Sequence, residues 1–321
     1  MKAMLLAAGY GTRLRPVTNM MPKPMVPVAN RPLIGWAVDS LLHAGVRELI
    51  VNLHHMPEAI ESWLAATYDA EFHFSFEPEI LGSGGGIKRV QPLLENETEF
   101  FAVNADTIQI PNYGELQAVR HEVDALASLL LRHPPPNDRF TPVWANRNVI
   151  TGFGTGTGDA LMFSGAQCLS PRVFRYLPEG FSGIVDDVYK PQLKNETIAA
   201  LVDDDEVWFD VGTPQRYAGA CRGMLDLTLR GEVDVADGSR IDGDSIVHET
   251  SRGRGSRSTI GARSVIEGAV RDSFVWDDCV ISRGVTLDGC VVAHGVELTH
   301  GELRDQLICR DETGSIVILP L

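Results

Sequence analysis

The chain has 321 residues, 44% of them hydrophobic and 22% charged, enough to bury a core without staples in one large domain or two ordinary ones. A formal net charge of −15 excludes a nonspecific nucleic-acid binder, which needs a basic face. The cysteines Cys168, Cys221, Cys279, Cys290 and Cys309 are scattered without a CxxC pair, which argues against a zinc site or a disulfide framework and fits a reducing cytoplasm.

The apolar run of residues 3–7 is too short for a signal peptide or a membrane span and reads as a buried first strand. Residues 33–43 place Ile34, Ala37, Val38, Leu41 and Leu42 on one helical face, with Gly45 as a stop. Residues 48–53 read as a strand, and residues 57–66 as a helix opened by proline. Residues 72–76 alternate as a strand, 87–94 are helical, and 100–103 form another strand. This alternation predicts an α/β, Rossmann-like, mixed but mostly parallel sheet, whose ligands sit beyond the carboxyl ends of its strands.

After about residue 232 helical periodicity stops. Ile260 and Ile266 are six apart, as are Val275, Ile281 and Leu287, and also Val285 and Val291. A six-residue period with small residues between apolar ones predicts a β-helix of hexapeptide turns, with antiparallel hairpins as the alternative. The boundary is expected at residues 229–239, giving regions 1–230 and 235–321.

The first strand runs into Gly9-Tyr10-Gly11-Thr12-Arg13-Leu14-Arg15. Glycines there let backbone N–H groups cradle phosphates. The dinucleotide fingerprint fails, because Leu14 stands where the third glycine belongs and Asn52-Leu53-His54 lacks the ribose-binding acid. No GxxxxGK[ST] P-loop occurs. Residues 1–38 hold Lys2, Arg13, Arg15, Lys23 and Arg31 and no acid, a positive island suited to a triphosphate. Prolines on both sides of Lys23 disfavour helix and predict a lysine on a stiff loop, poised as a point charge.

Leu6 to Pro16 and Pro22-Lys23-Pro24-Met25-Val26-Pro27-Val28 resemble the signature of the sugar-1-phosphate nucleotidylyltransferases. Gly82-Ser83-Gly84-Gly85-Gly86-Ile87, Val103-Asn104-Ala105-Asp106 and Trp208-Phe209-Asp210-Val211-Gly212-Thr213-Pro214 follow in the family's order. The resemblance spans about residues 1–220, and the tail is similar to the left-handed β-helix that many members carry.

The resemblance implies a nucleotide site at Ala7, Ala8, Gly9, Gly11, Thr12, Gly84 and Gly85. It implies Arg13 and Lys23 as catalytic cations and a Mg²⁺ held by Asp106 and Asp210. Both aspartates are also expected at strand ends, after residues 100–103 and 207–209. Mg²⁺ takes one or two carboxylates together with phosphate oxygens and water. For the sugar, Asn104, Gly165 after a strand at 161–163, and Asp187 are candidates, Asp186 and Asp187 being equally readable as a solvated helix face. His54 and His55 lack acidic or cysteine partners and read as structural.

Two departures stand out. Ala105 replaces a frequent glycine, and no lysine occurs between Ile110 and Tyr189, where many members carry Glu-Lys-Pro. His133 to Phe140 instead resembles the N-acetylmuramate-1-phosphate uridylyltransferase branch, with mannose-1-phosphate guanylyltransferases close behind. The implied reaction joins a nucleoside triphosphate to a sugar 1-phosphate, UTP being favoured slightly over GTP. A non-catalytic nucleotide-sugar sensor and a bifunctional enzyme with an acyltransferase tail using His294 or His300 are the alternatives. The expected setting is cytoplasmic, with no nucleic acid or membrane partner and self-association through the tail.

Overall fold

The computed structural model describes residues 1–135, 140–204 and 207–321. They divide into two compact units, one of Met1–Gly9 and Ile34–Trp208, the other of Tyr10–Leu33 and Phe209–Leu321. Packing therefore groups the early segment Tyr10–Leu33 with the C-terminal strands, whereas the change of sequence texture lies at 229–239. Residues 136–139 of the His133 to Phe140 segment lie outside the described residues.

The first unit is built on one sheet. Its strands lie in the order Glu71–Phe76, Glu48–Leu53, Lys2–Leu6, Phe100–Asn104, Asp159–Leu169, Ala127–Arg132, Ile198–Val202, Val149–Phe153 and Val143–Asn146. The first four are mutually parallel. Asp159–Leu169 then runs antiparallel to both its neighbours Phe100–Asn104 and Ala127–Arg132. The sheet is thus mixed, as expected, but its parallel pairings do not predominate. The departure lies in the second half, where the alternation of strand and helix gives way to strand following strand.

Ala3, Met4 and Leu5 have no exposed surface, as expected of a central strand covered on both faces. Leu6 is in register with Asn52 on one side and Asn104 on the other, and Leu53 with Phe76. These carboxyl ends are flush. The loops beginning at Ala7, His54, Glu77 and Ala105 therefore leave along one edge.

The helix Leu33–His43 and the strand Glu48–Leu53 have the bounds the sequence predicts. The helix expected at 87–94 begins earlier, as Gly82–Arg89, and a second turn follows at Gln91–Leu94. Glycine is a poor helix former, so four glycines hide the start from a propensity reading. Packing overrides propensity there, because the N–H groups of Gly84 and Gly85 both donate to Ser182 O, at 2.8 and 3.3 Å. Pro92 sits in the first turn of the second segment, where no N–H is needed.

In the second unit the strands are short. Parallel pairing carries Ile246 to Thr259, Thr259 to Phe274, Phe274 to Val291 and Val291 to Leu307. A second parallel set joins Val265 to Val280, Val280 to Glu297 and Ala269 to Thr286. Antiparallel hairpins occur where the larger of these sheets begins and ends, at Ser239–Asp242 with Ser245–His248 and at Gln306–Arg310 with Ile316–Pro320.

The apolar residues picked out by the six-residue spacing, Ile260, Ile266, Val275, Ile281, Val285, Leu287 and Val291, are all buried. The small residues between them have a role of their own. Ser245 Oγ accepts from Ser258 N, Ser258 Oγ from Ser273 N, and Ser273 Oγ from Cys290 N, at 3.0, 3.1 and 3.0 Å. Each fully buried serine hydroxyl thus satisfies an amide of the next parallel layer, which an apolar side chain could not do.

Among the described residues no helix is long and apolar enough to cross a membrane. All five cysteines are unpaired and buried.

Candidate active site

At the flush edge of the first unit, a buried polar network fixes the loops. Ala7 N donates to Asn52 Oδ1 at 2.8 Å, and Asn52 Nδ2 donates to Glu77 Oε1 at 2.8 Å. Glu77 Oε2 accepts from Leu81 N at 2.9 Å, at the head of the glycine-rich helix. One fully buried carboxylate therefore ties the end of the first strand to that helix. Ala7 has its N–H committed to Asn52, so its carbonyl is what remains for a ligand. Ala8 and Gly9 are half-buried, and a Cβ on Gly9 would meet nothing within 4 Å.

Gly84 and Gly85 lie in the first turn of that helix. A Cβ on Gly85 would stand 2.1 Å from Gly180 O, and one on Gly84 would stand 2.6 Å from Ser182 Oγ. The chain that closes on these glycines is the segment around residues 180–182, a packing reason that the motif alone does not reveal.

Asp106 lies in the two-residue turn between the strands Phe100–Asn104 and Thr107–Gln109 and is partly accessible. The methyl of Ala105 is fully buried, and Ala105 N donates to Leu6 O at 3.1 Å, so the turn accommodates it.

Gly165 does not follow a strand. The strand runs on through it, from Asp159 to Leu169, with its register against Ala127–Arg132 shifting between Phe163 and Gln167. Gly165 adopts φ +103°, and a Cβ there would lie 2.7 Å from Asn104 Nδ2. The two sugar candidates Asn104 and Gly165 are thus in contact.

Asp186 and Asp187 are exposed on a short π-helical turn, Ile184–Tyr189. Asp186 pairs with Lys190, and Asp187 Oδ2 accepts from Gly183 N at 2.7 Å. Both therefore have local structural work. His54 Nδ1–H donates to Glu77 O at 2.7 Å, in keeping with a structural role.

The second unit holds the cations. Gly11 has φ +60°, and a Cβ there would lie 2.9 Å from Lys23 Cβ and 3.0 Å from Thr18 Cγ2. Only glycine combines that backbone with that closeness. Gly11 O accepts from Leu14 N and Thr18 Oγ1, each at 2.9 Å, which folds Thr12–Leu14 into one 3-10 turn. Thr12 and Arg13 are exposed on it.

Lys23 begins a single 3-10 turn, Lys23–Met25, rather than an extended loop. Pro24 is tolerated because an N–H is not required at that point of a turn. Lys23 keeps only 6% of its surface open.

Asp210 ends the strand Trp208–Asp210, and Arg216 Nη1 donates to its Oδ2. Thr213 caps the helix Pro214–Leu229, its Oγ1 accepting from Arg216 N at 3.3 Å. A Cβ on Gly212 would stand 3.0 Å from both Nη atoms of Arg13. The Arg13 guanidinium therefore lies against the backbone between Asp210 and the cap.

Three residues of these networks escape a motif reading: Asn52, Glu77 and Arg216. Arg216 carried a signal, a cation in the first helical turn against the helix dipole, which the Asp210 carboxylate offsets.

The proposed metal carboxylates suit Mg²⁺ in donor type, each a partly accessible oxygen ligand at or just beyond a strand end. Were Asp210 to ligate an ion, Arg216 would compete for its Oδ2. A different cluster, Glu48, Glu71 and His73, brings three possible ligand atoms together. Glu48 and Glu71 begin their strands, so the cluster sits at the opposite edge from the loops, and Lys2 already neutralises Glu48.

Burial pushes the thiols of Cys168, Cys221 and Cys279 up, which disfavours their thiolate forms. In the tail His294 Nδ1 lies 3.6 Å from Asp278 Oδ2, and His300 shares a hydrogen bond with Thr299.

Residues 2–147 match the nucleotidyl transferase family model. Over that stretch the chain belongs to the nucleotidyl transferase family. Relatives of this transferase support the assignment over most of its length. A UTP--glucose-1-phosphate uridylyltransferase of Synechocystis is 25% identical, the alignment covering 99% of this chain and 90% of that one. A probable mannose-1-phosphate guanylyltransferase 2 of Oryza sativa is 28% identical over 93% of this chain and 82% of its own. The transferase fold is also that of HddC from Yersinia pseudotuberculosis, crystallised in complex with GMP-PN. The match has a TM-score of 0.59 at 22% identity, covering 70% of this chain and 99% of that one.

Proposed function

We propose that this enzyme joins a nucleoside triphosphate to a sugar 1-phosphate and releases pyrophosphate. The observation that carries the reading is the family match over residues 2–147. That stretch holds Gly9, Gly11, Arg13, Lys23, Gly84, Gly85 and Asp106.

A phosphate oxygen of the sugar phosphate attacks the α-phosphorus. The bond from the α-phosphorus to the bridging oxygen breaks, and pyrophosphate leaves in line. No covalent enzyme intermediate is needed, so catalysis reduces to positioning and charge neutralisation. Arg13 offers forked donors to the β- and γ-phosphate oxygens. Lys23, on its short turn, neutralises the α-phosphate. The backbone of Ala7, Ala8, Gly9, Gly11 and Thr12 holds the triphosphate, with Gly84 and Gly85 beside the base. Asn104, Gly165 and Asp187 serve the sugar. Asp106 and Asp210 are the carboxylates for Mg²⁺, which when bound neutralises phosphate charge.

In this reading residues 1–230 carry the reaction, and residues 235–321 form a left-handed β-helix through which copies associate. Five unpaired cysteines favour a cytoplasmic setting.

UTP and GTP are the two donors to compare. The Synechocystis relative favours UTP with a hexose 1-phosphate, and a mannose-1-phosphate guanyltransferase 2 of Candida glabrata, 28% identical over 78% of this chain and 73% of its own, favours GTP. Pyrophosphate release with Mg²⁺, each triphosphate crossed with glucose, mannose and N-acetylmuramic acid 1-phosphates, tests the proposal. Release that needs both substrates supports it. Nucleotide binding without release from any pair supports a non-catalytic sensor instead.

A further inference from the structure

The turn bearing Lys23 runs straight into a hairpin, Pro27–Val28 with Arg31–Pro32. There is little slack between them. Met25 N donates to Pro22 O at 2.8 Å, Val26 N to Lys23 O at 3.1 Å, and Leu33 N to Val26 O at 3.1 Å. The hairpin loop Ala29-Asn30 has φ +52° and +62°, both left-handed, as a two-residue I′ turn requires. Asparagine tolerates that conformation and alanine does not, so something outside the hairpin must stabilise it.

The stabilising contacts come from the helix Pro214–Leu229 and the C-terminal strands, in the same compact unit. Asn30 Nδ2 donates to Ser239 Oγ at 3.1 Å and to Ile260 O at 3.0 Å. Pro27 stands opposite Pro32, which has no N–H to give. The Pro27 carbonyl is taken by the Tyr217 hydroxyl, and Trp276 Nε1 donates to Tyr217 Oη at 2.8 Å. The two rings meet edge to face, centroids 6.0 Å apart at 85°. Tyr217 and Trp276 are 2% and 5% exposed, so water does not compete for these bonds.

We propose that Tyr217, backed by Trp276, is a positioning residue for Lys23, and that the C-terminal strands take part in turnover by holding the Lys23 turn. This rests on the nucleotidyl-transfer reading, since it gives Lys23 something to act on. A buried hydrogen-bond pair with a structural role alone would affect stability and leave the chemistry of the folded enzyme unchanged.

The test uses the full-length enzyme with Tyr217→Phe and, as a second variant, Trp276→Phe. Each is made also in the Lys23→Ala background, and measurements are taken well below each variant's melting point. Two readouts are combined, pyrophosphate release and amide hydrogen exchange over residues 23–33. The expected result is faster exchange over 23–33, unchanged exchange in the strand Lys2–Leu6, and a kcat lower by about tenfold, because small misplacements of a reacting group are costly. KM for both substrates should stay within about twofold, and Lys23→Ala should abolish the kcat effect, as expected of residues acting as one unit. Unchanged exchange over 23–33 overturns the proposal. So does an equal fall in kcat with and without Lys23. If the wild type releases no pyrophosphate from any substrate pair, the transfer reading fails and the claim about turnover falls with it. The exchange data then still decide whether Tyr217 holds the hairpin.

Discussion

Lys23 stands at a position with 6% exposure, packed against Gly11 and entered through Pro22. A charge held there is worth about 4 kcal/mol against a phosphate some 4 Å away at an effective dielectric near 20. Lys23→Ala should therefore lower turnover by about 100-fold or more, as loss of one oxyanion donor does, in steady-state pyrophosphate release. Turnover near wild type would remove Lys23 from the chemistry. Gly212→Ala probes Arg13 without replacing it. The new methyl would meet only the far end of a flexible guanidinium, 3.0 Å away. Activity should fall about tenfold while the melting temperature changes by less than about 2 °C. A large loss of stability would mean that the segment itself cannot take a methyl. Asp106→Ala should abolish activity at every Mg²⁺ concentration, and residual Mg²⁺-dependent turnover would place the ion elsewhere.

At the scale of elements, legibility followed how far a local pattern agreed with packing. The helix Leu33–His43 and the strand Glu48–Leu53 could be read because apolar spacing, a glycine stop and burial coincide. The helix Gly82–Arg89 could not, because its glycines answer to the backbone around residues 180–182 far along the chain. Gly85→Ala should cost about 1–3 kcal/mol of stability by overpacking against Gly180 O, read by denaturant unfolding. The second half of the sheet was hidden for a similar reason, since Asp159–Leu169 is long, bulged and antiparallel.

The ion cluster at the head of the strand Phe100–Asn104 was also invisible. Glu99 Oε2 accepts from Arg120 Nε at 2.9 Å, and Glu99 Oε1 from Gln117 Nε2 at 2.7 Å. Burial alone would raise the Glu99 pKa, but the donors from Arg120 and Gln117 outweigh it and hold the carboxyl below its usual range. A depressed folded-state value means that the stabilisation is present above the ordinary carboxylate pKa and is lost as pH falls through and below that range. Glu99→Gln should cost about 3–5 kcal/mol at pH 7, since it leaves the Arg120 charge buried and unpaired. The cost should shrink in acid unfolding experiments. An equal cost at low pH would deny that the ionised form matters.

At the scale of the molecule, the site motifs were legible as types and order of residues, but not the side chains that hold them. Asp106 and Asp210 fall at strand ends as expected, whereas Asn52, Glu77 and Arg216 carry no motif of their own. The six-residue spacing located the buried positions of the tail, and its serines proved to be ladder acceptors rather than filler. The grouping of Tyr10–Leu33 with the C-terminal strands could not be read locally, because Asn30 and Pro27 meet partners some two hundred residues away.

Attack on the α-phosphorus can be followed by isotope position. The enzyme is incubated with Mg²⁺, a sugar 1-phosphate and its preferred triphosphate, labelled with ³²P at either the α or the γ position. The α label should move into a nucleotide-sugar and the γ label into pyrophosphate, only when the sugar phosphate is present. A γ label recovered in orthophosphate or on the sugar, with the α label left in nucleoside mono- or diphosphate, would contradict it.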